Sequence, residues 1–354
     1  SSDDLELFKD LFSAQNESTR DLLGHQIQDM LLQCSFAGRK CYQANFTRVH
    51  TGNYGSCYTL QNSMFIARRS GPDGGLELTL FLESDEYVPG ITNGKGFQVA
   101  IHEQGTIPFP ADEGIAVTPG AQTVIGLRML QITRLGMPYG PCRSAATFES
   151  INNVTYSRNT CQRLCEQALI RSTCKCYDPS RLELNDVMQN PLDLPSCADD
   201  SQLTCVYEVQ YNFDATDSSC GCDSPCSEKL YEKTVAARQW PSTSYASILV
   251  ESICKERSAD VCNKLRNKTK DNRLADFMKL NIYYEDLNYE ELSEQADYDE
   301  SQLLSDIGGS IGLWIGLSVL GLFELFHLVA DIVIYMCWGQ CQEKGGKKLK
   351  HEDD

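Results

Sequence analysis

Apolar residues recur every three or four positions from Asp4 to Gln33. Leu5, Phe8, Leu11 and Phe12 come first, then Leu22, Leu23, Ile27, Met30 and Leu31, and the spacing predicts amphipathic helix. The period then changes. Leu76, Leu78, Leu80 and Leu82 alternate with Glu77, Thr79, Phe81 and Glu83, the two-residue repeat of a strand with one wet face. Gly71-Pro72-Asp73-Gly74 and Pro89-Gly90 punctuate this region as turns. Phe97, Val99 and Ile101 predict a second strand, Val124 to Ile132 a third, and Ile282 to Leu287 a last one. Asn159 to Ala168 reads as a short helix with Cys161 and Cys165 on one face. Ser242, just after Pro241, is placed to cap a helix from Thr243 to Ile253. Strands and helices are thus segregated along the chain, which predicts an α+β fold.

The longest apolar run is Asp306 to Trp338, uninterrupted by Lys or Arg. About 20 helical residues cross a hydrocarbon layer of ~30 Å, so the run predicts a transmembrane helix. It is not a plain anchor. Glu324, His327 and Asp331 fall at i, i+3 and i+7 and share one helical face. An acid near the bilayer centre costs roughly 2.5–3.5 kcal/mol, so that face must meet water or other helices. Gly308, Gly312 and Gly316 recur every four residues, a spacing that suits close helix packing. Gly316-Leu317-Ser318 is the patch where backbone carbonyls can be freed to line an aqueous path. Gly308 to Gly312 also fits G-x-S-x-G, but a nucleophile elbow needs a preceding strand, and here the pattern opens a membrane helix.

Composition narrows the reading. The chain has 354 residues and a net charge of −18, which argues against nucleic acid and anionic lipid as partners. Fifteen of the 17 cysteines precede the apolar run, and such density points to disulfides formed in an oxidising compartment. Cys174-Lys-Cys176 and Cys220-Gly-Cys222 with Cys226 are read as disulfide cysteines rather than a zinc site, since no His lies nearby. Sequons at Asn16, Asn45, Asn153 and Asn267 agree with an extracellular domain. From Leu280 to Asp306 there are nine acids and no Lys or Arg, whereas Lys344, Lys347, Lys348 and Lys350 follow the run, so the C-terminus is expected to be cytoplasmic. The first residues have neither a basic n-region nor an apolar core, and the odd number of outer cysteines leaves one unpaired. Both lead to the expectation that a signal or earlier membrane helix precedes Ser1. His25, His50 and His102 belong to no Cys or Asp constellation in the sequence. No catalytic residue, metal site or cofactor is expected, and the chain is read as a non-enzyme.

Seven segments carry a resemblance: LGHQIQDMLLQCSFAGRKC, NYGSCYTLQN, LESDEYVP, VAIHEQGTIPF, YSRNTCQRLCE, LNYEELSEQ and SDIGGSIGLWIGLSVLGLFELF. In this order they resemble the degenerin, epithelial sodium channel and acid-sensing channel superfamily. The resemblance implies a trimer, two membrane helices per subunit, and a hand-like extracellular domain with finger, thumb, palm, β-ball and knuckle elements. It implies an extracellular domain over residues 1–304, the second, pore-forming membrane helix over 305–338 and a cytoplasmic tail over 339–354. Gly316, Leu317 and Ser318 correspond to the family's G-x-S constriction, Asp306 to an acid at the outer mouth, and Ser305 to the small residue where bulk props the gate open. Glu324 and Asp331 match inner acids of the pore. The resemblance further implies Cys34–Cys41 and a nested set, Cys142–Cys226, Cys161–Cys222, Cys165–Cys220, Cys174–Cys205 and Cys176–Cys197. Cys254–Cys262 is left as a local pair, and Cys57 would pair with a cysteine before Ser1.

Two departures bear on gating. Acid-sensing members carry carboxylates where this chain has Tyr207 and Tyr211, and Tyr139 stands where they place a tryptophan. Likeness as a whole points to the branch opened by short amidated neuropeptides of the FMRFamide type. The expected function is therefore a ligand-gated, amiloride-sensitive, sodium-selective channel in the plasma membrane, with sodium ions and a peptide as ligands. The alternatives are a proton-gated or mechanically gated relative, or a single-span adhesion or signalling receptor. Glu324 and Asp331 discriminate against the receptor, because a plain anchor has no use for them.

Overall fold

A computed structural model describes residues 2–60, 64–88, 92, 94–145, 148, 154–184, 187, 194–214, 220–270, 274–316 and 318–346. Two units divide the chain, Ser1–Glu294 and Gln295–Asp354. Pro89-Gly90, among the expected turns, lies outside the described residues.

Neighbouring residues with opposite burial explain the first unit. Leu31 packs in one core with Leu78, Leu80, Ile125, Met278 and Leu280, while Leu32 packs in another with Phe81, Phe277, Leu249, Val250, Ile253 and Leu265. Only an extended chain sends consecutive side chains to opposite faces. Leu31–Phe36 is accordingly strand β1, paired antiparallel with β5 (Leu76–Phe81). This corrects the reading of Asp4 to Gln33 as helix throughout. The helical part ends as three short pieces, α1 (Ser2–Ser13), α2 (Glu17–Leu22) and α3 (Ile27–Met30). Asn16 starts α2 by accepting a hydrogen bond from the Thr19 backbone N–H at 2.8 Å.

The sheet has six strands. To β1 and β5 it adds β2 (Arg39–Lys40), β8 (Ala121–Thr133), β9 (Ser227–Gln239) and β10 (Phe277–Ser293), in the order β2-β1-β5-β10-β8-β9. Its pairs are antiparallel except β10 with β8, which run parallel. Parallel neighbours need a long crossover, and here that connection holds the disulfide-rich helices. The structure is therefore mixed α and β, with one parallel pair inside a largely antiparallel sheet. Two hairpins stand apart, β3 (Phe46–Thr51) with β4 (Gly55–Leu60) and β6 (Phe97–Val99) with β7 (Ile115–Val117). The short helix α4 (Pro110–Glu113) precedes β7. Strand β10 changes character midway: it is buried or half-buried from Phe277 to Glu285 and exposed from Asp286 to Ser293, where the acidic residues gather.

Among the described residues four further helices belong to this unit: α5 (Arg158–Cys174), α6 (Asp200–Asn212), α7 (Thr243–Cys254) and α8 (Ala259–Lys270). Helix α5 runs a turn and a half beyond the predicted Ala168. Ser157 caps it by accepting from the Thr160 N–H, and Asp199 with Gln202 forms a capping box on α6. Ser242 sits at the N-cap of α7 without a side-chain cap bond. Helices α7 and α8 cover the Phe81 and Phe277 face of the sheet. By contrast α5 and α6 bury a small core of Ile170, Val206 and Val209 against cystines.

Candidate functional site

The apolar run that reads as one helix is two. Helix α9 (Glu300–Ile315) begins at Asp299, whose carboxylate accepts from the Gln302 N–H at 2.7 Å. It ends at Gly316, which is left-handed at φ 67° and donates its N–H to the Gly312 carbonyl at 3.1 Å. A residue with a Cβ is strained in that conformation, so glycine is the natural terminator. Ser318 then caps helix α10 (Val319–Gly346), its hydroxyl accepting from the Gly321 N–H at 3.1 Å. A single helix over 305–338 is thus replaced by a break at Gly316–Ser318. Leu317 lies outside the described residues. Where one helix stops and another starts, carbonyls and N–H groups lose their intrahelical partners, which makes the break a polar point in an apolar run.

Val319–Trp338 is long and apolar enough to cross a membrane, and none of it is buried against the chain's described residues. Glu324, His327 and Asp331 all lie on α10. His327 Nδ1 stands 3.0 Å from Asp331 Oδ2, and both side chains are exposed. Glu324 has no hydrogen bond or ion pair among the described residues. On α9, Ser305 is exposed and Asp306 Oδ2 accepts from the Tyr298 hydroxyl at 2.5 Å. A Cβ built on Gly308, Gly309 or Gly316 would meet nothing within 4 Å, so contacts inside the chain do not require glycine at these positions. Open small-residue surface of this kind suits approach by another helix.

In the first unit the structure gathers a charged cluster that no sequence spacing revealed. Glu83 is buried, with His25 Nδ1 3.4 Å from Oε2 and Lys264 Nζ 2.5 Å from Oε1. Glu86 stands 3.9 Å from the same His25 nitrogen and 3.6 Å from Lys264. The hydrogen bond from His25 holds the Glu83 carboxyl below the usual carboxylate range; burial opposes this and Lys264 adds to it. His25, Glu83 and Glu86 offer ligand atoms within 4.8 Å of one another, so a metal ion could be held there. The Lys264 ammonium already balances these carboxylates. This corrects the view of His25 as lacking a constellation: its partners come from 58 or more residues away. His50 likewise meets Asp21 at 3.3 Å.

Tyr207 and Tyr211 lie on α6 with exposed side chains, lining a shallow depression with Thr204 and Glu208. Asn16 and Asn267 are exposed, Asn45 is half-buried, and Asn153 lies outside the described residues. Seven disulfides are present: Cys34–Cys41, Cys142–Cys226, Cys161–Cys222, Cys165–Cys220, Cys174–Cys205, Cys176–Cys197 and Cys254–Cys262. Cys57 has no disulfide partner among the described residues, and burial pushes its thiol pKa up.

The family described as amiloride-sensitive sodium channel matches residues 2–328. The chain is 32% identical over 321 residues to acid-sensing ion channel 1C of Danio rerio, covering 88% of this chain and 56% of that protein. It is 30% identical to the FMRFamide-activated amiloride-sensitive sodium channel of Cornu aspersum, covering 87% of this chain and 61% of the relative. It is also 30% identical to the human epithelial sodium channel subunit beta, covering 86% and 48%. The chain spans about half the length of the curated relatives it matches.

Proposed function

This chain belongs to the amiloride-sensitive sodium channel family, and from that premise we propose that it is a subunit of a trimeric, sodium-selective channel gated by an extracellular ligand. Residues 1–304 form the extracellular hand, 305–338 the pore segment and 339–354 a cytoplasmic tail at the plasma membrane. The observation that carries the reading is the broken helix. The apolar surface of Val319–Trp338 finds no cover among the described residues, yet it bears Glu324 and Asp331. Three copies turned inward would satisfy both facts, with acids and freed carbonyls facing water and Leu, Phe and Ile facing lipid.

Gly316, Leu317 and Ser318 would bring carbonyl and hydroxyl oxygens around the axis, hard ligands suited to small cations. Six residues further on, about 9 Å along the helix, three Glu324 carboxylates hold a negative potential that concentrates cations and excludes anions. Ser305 and Asp306 stand at the outer mouth. For the opening ligand, overall likeness favours a peptide of the FMRFamide type, and Tyr207 and Tyr211, exposed on α6, replace the carboxylates of acid-sensing members.

Current recording from the full protein tests this, with amidated peptide and pH varied separately. The expected result is an inward, amiloride-blocked Na⁺ current opened by peptide at constant pH. Glu324→Gln and Ser318→Ala should each weaken the preference for Na⁺ over K⁺, seen as a negative shift of reversal potential in mixed solutions, with surface expression maintained. Parent-like selectivity in both variants would remove these residues from the filter.

A further inference from the structure

His327 and Asp331 sit at the middle of the apolar span Val319–Trp338. Among the described residues, each has only the other as polar partner. Contact within one helix turn lowers the cost of carrying them, but it does not remove it: His327 is 81% exposed and Asp331 62%. Their geometry says more. An ionised carboxylate only accepts hydrogen bonds, so the imidazole nitrogen facing it, Nδ1, must be the donor. In the neutral ring the lone pair is then on Nε2, the nitrogen directed away from Asp331. A carboxylate holding one imidazole nitrogen so that the other is presented as a ligand is the arrangement found behind metal-binding histidines.

We propose that His327 presents Nε2 to the pore axis, that three copies together bind one borderline divalent transition-metal ion, and that Asp331 is the positioning residue that fixes the ring. The proposal rests on the trimeric pore reading for the convergence of the three rings. A neutral imidazole nitrogen binds Ni²⁺ or Zn²⁺ well and hard cations poorly. Sodium would therefore pass this level, whereas a transition dication would lodge and block. Three nitrogens leave the remaining coordination positions for pore water.

Ni²⁺ is the probe, because Cys337 lies on the same helix and Cd²⁺ would also seek its thiol. The full protein, purified in detergent, is dialysed to equilibrium against Ni²⁺, and Ni²⁺ is applied to each face of excised patches. The expected result is one Ni²⁺ per three chains and a voltage-dependent block, both abolished in His327→Ala. Asp331→Asn should weaken binding by roughly 10–100-fold. His327→Cys should exchange Ni²⁺ preference for added Cd²⁺ binding, a gain that also reads the site should the alanine variant assemble poorly. Sodium currents with Ni²⁺ binding unchanged by His327→Ala would overturn the proposal and leave the pore reading standing. His327-dependent binding at one ion per three chains without sodium current would support the site and sink the conduction reading. One ion per single chain would overturn the three-ring site.

Discussion

The sheet core and helix α10 are both built from apolar side chains, and they treat them in opposite ways. Phe277 on β10 is 1% exposed and packs on Phe81, Leu249 and Val250, whereas Phe326 on α10 is 73% exposed. Their acids differ in the same sense. Glu83, at the end of β5, is buried with His25 and Lys264 as partners, while Glu324 has none among the described residues. A buried charge must be paired or its burial is costly. The first unit pairs its buried charge from its own chain; on α10 Asp331 meets His327 one turn away, but Glu324 finds no partner among the described residues. Apolar composition therefore says little by itself. What distinguishes a core from an uncovered apolar helix is where the partners come from.

The largest test replaces equivalent rings. Phe277→Ala should cost about 3–5 kcal/mol, the range for a buried phenylalanine, and Phe326→Ala less than ~1 kcal/mol. Thermal unfolding of the purified protein measures both, and equal losses would break the contrast. A second test asks what covers the exposed helices. In the proposed trimer, bulk at the meeting point of the three copies should disfavour the packed, closed arrangement by about 1–3 kcal/mol, so Ser305→Phe should give a channel that conducts without ligand. A closed, ligand-responsive variant would mean that Ser305 faces lipid.

The smallest test uses pH. The Glu83 carboxyl is depressed in the folded state, chiefly by the His25 hydrogen bond. Its contribution to stability is therefore full above the ordinary carboxylate range and is lost as pH falls through the folded-state value. Acidification should lower Tm more steeply in the parent than in Glu83→Gln, and parallel curves would show that the cluster adds nothing.

These contrasts were only partly legible in the residues. The span was plain because a largely apolar run of 20 residues, Val319–Trp338, has few alternatives. β5 was plain because its leucines recur every second residue, although the opposite face, with Thr79 and Phe81, is buried rather than wet. The break at Gly316 was not, since a helix tolerates an isolated glycine at about 1 kcal/mol, and only the left-handed backbone distinguishes a terminator from a packing contact. Leu31 and Leu32 continued a helical spacing and became strand because β5 offers the pairing, a choice made by tertiary context. Strand β9 gave no warning: its Lys and Glu side chains lie on an edge with most positions exposed, so no alternation forms. The cluster of His25 with Glu83, Glu86 and Lys264 joins segments far apart in sequence, beyond any local motif.

The five cystines from Cys142 to Cys226 are strictly nested, and nesting sets an order for the growing chain. As synthesis proceeds, the innermost pair, Cys176 with Cys197, spans 21 residues and is the first to have both halves made. Each closed rung then shortens the search for the next. Once Cys174 meets Cys205, the 55 residues between Cys165 and Cys220 reduce to an effective loop of about two dozen. The chain can zip outward from the inside, each oxidation guided by the one before. A nascent chain oxidised in that order avoids the mispaired isomers open to ten thiols released at once.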